Sequence, residues 1–190
     1  LVRNCDRKVT LIPTGPLTNI ALFLQAHPEL HDHIEHISFM GGSTERGNWT
    51  PYAEFNIWAD PEAADIVFRY GGKLMMSGLD VTHQFQATPE RLAAIRAIPG
   101  RLPSVLADLL AFYSKSYINH HVNMTGAAVH DPCAVLSLTH AQFFTISPHR
   151  VDIELRGEHT RGMTMIDRRQ YKTPTTPNCD VVWNVDAAPA

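Results

Sequence analysis

The first regular pattern in the chain is Lys8-Val9-Thr10-Leu11-Ile12-Pro13-Thr14-Gly15-Pro16-Leu17-Thr18-Asn19-Ile20-Ala21-Leu22-Phe23-Leu24-Gln25. Its first six residues form a short apolar run, which predicts a buried strand. Thr14-Gly15 predicts a turn, and Pro16 suits the start of a helix from about Leu17 to Gln25. One face of that helix would be apolar, since Leu17, Ile20, Ala21 and Leu24 share it. This stretch therefore predicts a strand followed closely by an amphipathic helix.

The same alternation continues downstream. His36-Ile37-Ser38-Phe39-Met40 predicts a second strand, residues 61–69 a helix, and Lys73 to Leu79 a third strand. Strands that alternate with helices are typical of an α/β fold with a mostly parallel central sheet flanked by helices. Ligands bind beyond the carboxyl ends of the strands in such sheets. Thr14, Met40 and Asp80 each lie at or just past such an end, so we expect a site there.

The second half of the chain is more helical and ends in a small strand-rich part. The predicted helices are residues 91–98 after Thr88-Pro89-Glu90, residues 102–120, and one that begins at His130-Asp131-Pro132 with Asp131 as its N-cap. Residues 149–155 alternate polar and apolar side chains, which predicts a half-exposed strand. Residues 163–167 and 179–185 are predicted to be its partners. We expect a single domain over residues 1–190.

Composition excludes some classes of function and leaves others open. The chain has 190 residues, of which 44% are hydrophobic and 18% charged, as in ordinary globular domains. Its net charge of −3 gives no reason to expect binding to nucleic acid or to an anionic membrane. Three cysteines without metal-type spacing favour a reducing, cytoplasmic location. Because the chain opens at Leu1 without a methionine, we expect that it lacks part of the domain.

A polar loop lies between the second strand and the next helix. Asp60 is a good N-cap there, because Pro61 fits the first helical position. In an extended segment Glu54 and Asn56 would share one face, while Phe55 and Ile57 would point into the protein. With Asn48 upstream, this gives two amides and a carboxylate that could hold a polyol. Such residues also commonly cap turns or face water, and that alternative stays open.

Four motifs, taken in order, resemble those of the inosine–uridine-preferring nucleoside hydrolases. They are Pro13 to Ala21, Phe39-Met40-Gly41-Gly42-Ser43, the loop of residues 47–62, and His130-Asp131-Pro132-Cys133-Ala134-Val135. The resemblance covers nearly the whole chain and fades after about Asp167. It implies a nucleoside-hydrolase-like α/β fold, and hydrolysis of ribonucleosides to ribose and free base with the help of calcium. It also implies a homodimer or homotetramer.

The resemblance also implies roles for individual residues. Asn48, Glu54 and Asn56 would hydrogen-bond the ribose hydroxyls, and Met40 would pack against the sugar. The Thr14 carbonyl and the Asp131 carboxylate would bind calcium, which prefers oxygen ligands. His130 would protonate the departing base, and Tyr113 and Tyr117 would lie near it. Without the resemblance, Asp131 would be a helix cap, Thr14 part of a turn, and the two tyrosines core residues spaced four apart.

The resemblance fails at one place, and two other functions remain open. The family's N-terminal aspartate cluster, D-x-D-x-x-x-D-D, has no match here, and two oxygen ligands fall short of calcium's usual six to eight. We therefore expect the isolated 190-residue chain to be inactive. A non-catalytic nucleoside or sugar binder is one alternative. A hydrolase that uses His130 and Asp131 with a transition metal is another, although no further ligands occur at metal-like spacing. Purine or pyrimidine preference is not determined.

Overall fold

The computed structural model describes residues 1–119, 124–169 and 175–186. Sixteen strands and α-helices occur in these residues, and three short 3₁₀ turns join them. They are β1 (Val9–Leu11), α1 (Thr18–Ala26), β2 (Ile34–Met40), α2 (Phe55–Ala59), α3 (Pro61–Phe68), β3 (Leu74–Ser77), α4 (Leu79–Thr82), β4 (Gln86–Ala87), α5 (Pro89–Ala97), α6 (Arg101–Ile118), β5 (Ala127–Ala128), α7 (Pro132–Thr139), β6 (Phe144–His149), β7 (Val151–Ile153), β8 (Thr164–Ile166) and β9 (Cys179–Val185).

A five-stranded sheet in the order β1-β2-β3-β9-β6 forms the centre of the fold. The pairs β1–β2, β2–β3 and β3–β9 are parallel, and only the edge strand β6 runs antiparallel. Right-handed connections through helices are the usual way to join parallel neighbours, which explains why helices separate these strands in the sequence. The predicted α/β class with a mostly parallel sheet is confirmed.

Side chains alternate between the two faces of this sheet, as the pleat requires. Ile37, Phe39 and Met76 point to one face, where they pack with α1, α3 and β7 in the largest core cluster. Met40 and Met75 point to the other face and join two smaller clusters, which include Ala134 of α7. Helices therefore cover both faces, as the sequence predicted.

The first strand differs from its prediction in burial. β1 is shorter than the predicted six residues, and its side chains are exposed or only half-buried. The reason is its position: β1 is an edge strand of the described sheet and pairs with β2 alone. Its apolar residues indicated a strand correctly, but periodicity cannot distinguish an edge strand from a central one.

The C-terminal strands are partly as predicted. β7 and β8 pair antiparallel, which confirms that residues 163–167 lie beside the predicted strand at 149–155. The prediction that residues 179–185 also join it holds only at His149, which pairs with Cys179. The rest of β9 pairs with β3 and β6 in the main sheet rather than with residues 150–155. Strand β6 was not predicted, although Phe144 to Ser147 alternate apolar and polar side chains, and it continues through Pro148 to His149. Pro148 is tolerated because β6 is an edge strand.

The remaining helices agree well with their predictions. Thr88 caps α5 by accepting a hydrogen bond from the Arg91 N–H, and Asp60 caps α3 by accepting one from the Ala63 N–H. The predicted long helix ends at Ile118, and His120 and His121, which could have reached the site, lie outside the described residues. No described helix is both long enough and apolar enough to cross a membrane.

Candidate active site

The chain turns sharply where β2 ends. Gly42 has a φ of +79°, and a Cβ built there would lie 2.9 Å from the Thr164 methyl carbon and 3.0 Å from the Met76 sulphur. Only glycine fits this conformation and this close approach without strain. The turn aims the Gly42 N–H at Glu54, whose Oε2 accepts a 2.9 Å hydrogen bond from it.

Glu54 is a buried helix cap. Its Oε1 accepts from the Asn56 N–H at 2.9 Å, and its Oε2 accepts from the Ile57 N–H at 3.2 Å. The side chain is 2% exposed, and this burial raises the pKa of its carboxyl against the opposing effect of the backbone hydrogen bonds. The Asp131 charge adds a smaller effect in the same direction, which places the two carboxylates within electrostatic range of each other.

The prediction of an extended segment from Glu54 to Ile57 is therefore wrong. Only Glu54 itself is extended, and α2 begins at Phe55 because the Glu54 carboxylate satisfies two of the first free N–H groups. Ile57 is buried as expected, but Phe55 is 42% exposed and lies against Trp49. A turn of helix rather than a strand thus positions Asn56.

The structure brings the predicted ribose-contacting residues together. Asn56 donates from Nδ2 to the Met40 carbonyl oxygen at 3.1 Å, and the same nitrogen lies 3.4 Å from the Met40 sulphur. The Asn48 Oδ1 accepts a 2.9 Å hydrogen bond from the Phe55 N–H. These bonds fix the orientation of both amides. They do not involve the Asn56 Oδ1 or the Asn48 Nδ2. The two amides thereby present one acceptor and one donor.

Thr14 and Asp131 meet at a second place. Both line a wide-open depression of about 420 Å³ with Pro132, Val135 and Leu136, and its surface is almost wholly apolar. Asp131 precedes α7, but its side chain makes no capping hydrogen bond, so its interpretation as a cap is wrong in that respect. Its backbone angles of −62° and −40° are already helical, whereas a capping side chain needs an extended backbone. Burial raises the pKa of this carboxyl.

These oxygen atoms fit part of a calcium shell. Thr14 offers a backbone carbonyl and Asp131 a carboxylate, both of which suit a hard cation. Among residues 1–119, 124–169 and 175–186, no three His, Cys, Asp or Glu side chains come close enough together to hold a metal. The two donors are therefore suited to calcium in kind but do not complete its coordination in number.

His130 sits at the centre of a hydrogen-bonded group of side chains. Its Nδ1 lies 2.8 Å from the Thr82 hydroxyl, and its Nε2 lies 3.3 Å from the Tyr117 hydroxyl. Tyr113 is tilted against Tyr117 at a centroid distance of 5.5 Å. Burial raises the pKa of Tyr117 to about 12, so its hydroxyl keeps its proton at neutral pH.

A cavity of about 640 Å³ opens beside His130. His130, Asp131 and Tyr113 line it, and most of its other walls are apolar. These walls include Phe85, Ile95, Leu106, Leu110 and Val129. A flat heterocyclic ring suits such a site, since apolar and aromatic walls with a few polar groups are typical of small-molecule pockets.

Sequence reasoning missed the part played by the segment after β3. Thr82 and His83 both contact His130, the first through its hydroxyl and the second through a T-shaped ring contact at 5.6 Å. Asp80 accepts hydrogen bonds from the Thr44 N–H and hydroxyl, and so holds the loop that leads to Asn48. The sequence did indicate that this segment lies beyond the carboxyl end of a strand. It did not indicate which contacts Asp80, Thr82 and His83 would make.

The chain belongs to the family of inosine-uridine preferring nucleoside hydrolases, whose model matches residues 1–189. It is 49% identical over 187 residues to the pyrimidine-specific ribonucleoside hydrolase RihA of Shewanella woodyi, covering 98% of this chain and 60% of that protein. The Salmonella arizonae protein of the same name is 44% identical over 185 residues, with 97% and 59% coverage. The chain thus spans about 60% of these curated relatives.

Solved structures of the family have the same fold. The purine-preferring ribonucleoside hydrolase from Gardnerella vaginalis superimposes with a TM-score of 0.86 at 36% identity, covering 98% of this chain and 58% of the other. A plant nucleoside hydrolase superimposes with a TM-score of 0.82 at 27% identity, with 94% and 57% coverage. The resemblance inferred from the motifs is confirmed.

Proposed function

We propose that the whole protein hydrolyses the N-glycosidic bond of ribonucleosides and releases ribose and free base. The observation that carries this proposal is the position of His130, which lines an apolar cavity large enough for a base and is followed in sequence by Asp131. Asp131 in turn lines the depression that contains Thr14. A group that can protonate a base thus lies directly beside one that can bind a cation.

The ribose would be held by Asn48, Glu54 and Asn56, and Met40 would pack against the sugar. The two amides present a donor and an acceptor, which matches hydroxyls because these both accept and donate. Glu54 keeps the amides in place, since its carboxylate anchors the first turn of α2 and the Gly42 turn together. Fixed contacts of this kind lower the barrier by holding the sugar in one orientation.

The reaction breaks the bond between C1′ and the base nitrogen. His130 supplies a proton to the base, so the bonding electron pair leaves on a neutral molecule. The oxygen of a water molecule bonds to C1′ as one of its protons passes to a carboxylate base, which the remainder of the whole protein would supply, and this restores the proton balance. Bound calcium, with Thr14 and Asp131 among its ligands, would lower the pKa of that water and orient the ribose hydroxyls.

Three finer proposals accompany this function. Pyrimidine ribonucleosides are the preferred substrates, because the relatives that are 44% and 49% identical are named as pyrimidine-specific. The Gardnerella vaginalis protein, which is purine-preferring, is less similar at 36% identity. The protein acts in the cytoplasm, consistent with its unpaired cysteines. It assembles as a homodimer or homotetramer.

A non-catalytic nucleoside-binding protein is the second candidate. The observation in its favour is that the described residues contain no group of three or more metal-binding side chains. The same ribose contacts and the same apolar cavity would then bind a nucleoside without cleaving it. Turnover distinguishes the two candidates directly.

The test is ribose release from uridine, cytidine and inosine by the full-length protein, with and without a calcium chelator. We expect release from uridine and cytidine to exceed release from inosine, and to disappear with the chelator and in Asp131→Ala. Activity that persists in Asp131→Ala would remove this residue from the metal site. Binding of uridine without any ribose release would favour the non-catalytic candidate.

A further inference from the structure

Thr82 is the last residue of α4 and is completely buried. Its Oγ1 lies 2.8 Å from His130 Nδ1 and 3.5 Å from the carbonyl oxygen of Leu79, one turn earlier. A buried hydroxyl between an imidazole and a carbonyl has one hydrogen to donate and can also accept one. Thr82 therefore connects the histidine to the backbone of the short helix after β3.

This contact determines which ring nitrogen of His130 faces which partner. With Nδ1 at Thr82, the opposite nitrogen Nε2 lies 3.3 Å from the Tyr117 hydroxyl. The two imidazole nitrogens are chemically distinct, and the partner of one sets the role of the other. A ring flipped by 180° would turn carbon atoms toward both hydroxyls and lose both contacts.

We propose that Thr82 is a positioning residue, whose hydroxyl holds the His130 ring with Nε2 directed toward Tyr117 and the leaving base. The expected effect of Thr82 on the reaction rests on the proposed hydrolysis, whereas its contact with His130 does not. Thr82 is assigned no contact with substrate or cation, and it acts only through His130.

The Thr82 hydroxyl can donate to Nδ1 or accept from it, and the Leu79 carbonyl at 3.5 Å is a second, more distant acceptor. When the Thr82 hydroxyl donates to that carbonyl, it accepts from Nδ1–H, and the proton of the neutral ring resides on Nδ1. Nε2 then carries the lone pair, which accepts from the Tyr117 hydroxyl in the neutral ring. Protonation of Nε2 gives the imidazolium ring, and this is the proton that His130 supplies to the base. The β-branched side chain of threonine is restricted at χ1, and complete burial together with the contact to His130 holds the Thr82 hydroxyl in place.

Two variants separate the hydroxyl from the shape of the side chain. Thr82→Val keeps the shape and removes the hydroxyl, whereas Thr82→Ser keeps the hydroxyl. On uridine we expect Thr82→Val to lower kcat by about 10- to 100-fold, as misplacement of a reacting group does, with KM changed less than about two-fold. We expect Thr82→Ser to recover most of the lost kcat.

A second substrate shows whether the loss concerns the leaving group. A nitrophenyl riboside releases a phenolate that leaves without protonation, so its hydrolysis does not need a positioned His130. We expect kcat for this riboside to be nearly unchanged in Thr82→Val. Thr164→Val is the matched control, because Thr164 is another buried threonine and its hydroxyl bonds to Ser43. That control should leave the ratio of the two activities unchanged.

Nitrogen NMR of the His130 ring tests the geometry independently of activity. With the ring signals assigned by their loss in His130→Gln, we expect one tautomer of the neutral ring to predominate in the natural protein and a changed tautomer distribution in Thr82→Val. If Thr82→Val does not fold, Thr82→Ala takes its place. The same tautomer distribution in both proteins would overturn the proposal, as would equal losses of both activities in Thr82→Val.

If the protein released no ribose from uridine at all, the proposed hydrolysis would fail. The ring measurement would still decide whether Thr82 positions His130, so the two failures are distinguishable.

Discussion

At the scale of single residues, two carboxylates that both precede helices have different roles. Asp60 accepts a 3.0 Å hydrogen bond from the Ala63 N–H and also a hydrogen bond from the Thr18 hydroxyl. Asp131 makes no capping bond, although it also stands before a proline and a helix. The two aspartates have the same local sequence signal, so the difference between them points to a role for Asp131 outside the helix.

Alanine substitutions should separate these roles. We expect Asp60→Ala to lower the free energy of unfolding by about 1–2 kcal/mol, which is the usual effect of a lost N-cap. We expect Asp131→Ala to change it by less than about 0.5 kcal/mol, as for a residue without a structural bond. Urea denaturation with a chelator present measures both. Equal losses would restore Asp131 to the role of a cap.

The buried Glu54 carboxyl should make stability depend on pH. The unfolded carboxyl ionises near its ordinary value of 4.5, whereas burial raises the folded pKa. Between these values the folded state binds more protons, so the free energy of unfolding falls as pH rises through that window. Glu54→Gln removes this contribution, and it also removes one acceptor oxygen, at a cost of about 1–3 kcal/mol.

The gap in stability between the natural protein and Glu54→Gln should therefore be widest below pH 4.5 and narrow above it. Urea denaturation of both proteins from pH 4 to pH 7 measures this gap. A gap that widens as pH rises would mean that the three backbone hydrogen bonds to Glu54 outweigh its burial.

At the scale of elements, the site depends on a helix too short to form alone. α2 has five residues, fewer than an isolated helix needs to overcome the cost of nucleation. The Glu54 cap and the burial of Ile57 hold it in place. The Gly42 turn supplies the third contact to Glu54, so this turn and α2 support each other.

Alanine at Gly42 should disturb this arrangement more than alanine at a comparable glycine. Gly71 has a similar φ of +86°, but nothing lies within 4 Å of a Cβ built there. Both substitutions incur the cost of a left-handed backbone, about 1 kcal/mol. Because Gly42 also abuts Thr164 and Met76, we expect Gly42→Ala to cost at least about 1 kcal/mol more. Equal shifts of the urea midpoint in Gly42→Ala and Gly71→Ala would show that Thr164 and Met76 move aside at little cost in free energy.

At the scale of the whole molecule, stability should be uneven across the sheet. β9 lies between β3 and β6, and Val181 and Val182 are almost completely buried on opposite faces. β1 pairs with one neighbour in the described sheet and is partly exposed. Strands with more buried contacts open only at free energies near that of global unfolding.

Amide hydrogen exchange should therefore proceed in a set order. We expect β1 to exchange first, and β3 and β9 to exchange last, at a free energy equal to that of global unfolding measured with urea. Mass spectrometry of peptides from these strands follows the order directly. Protection of β1 as strong as that of β9 would contradict the unequal distribution of buried contacts.

The sequence by itself determined the features that depend on neighbours along the chain. Periodicity predicted the first three strands, which precede Thr14, Gly41 and Asp80, and the structure contains them. Local hydrogen bonding accounts for the helix caps at Asp60 and Thr88. The family was also readable, because four motifs occur in a fixed order. The roles that the resemblance assigns to individual site residues stay a prediction.

Only the tertiary structure decided the features that depend on contacts between distant segments. β9 lies in the main sheet because its two edges pair with β3 and β6, and its own sequence does not identify these partners. Glu54 caps α2 because the Gly42 turn closes over it, and Thr82 reaches His130 across 48 positions of sequence. Local patterns specify an element, whereas long-range burial selects its neighbours and gives each polar side chain its partner.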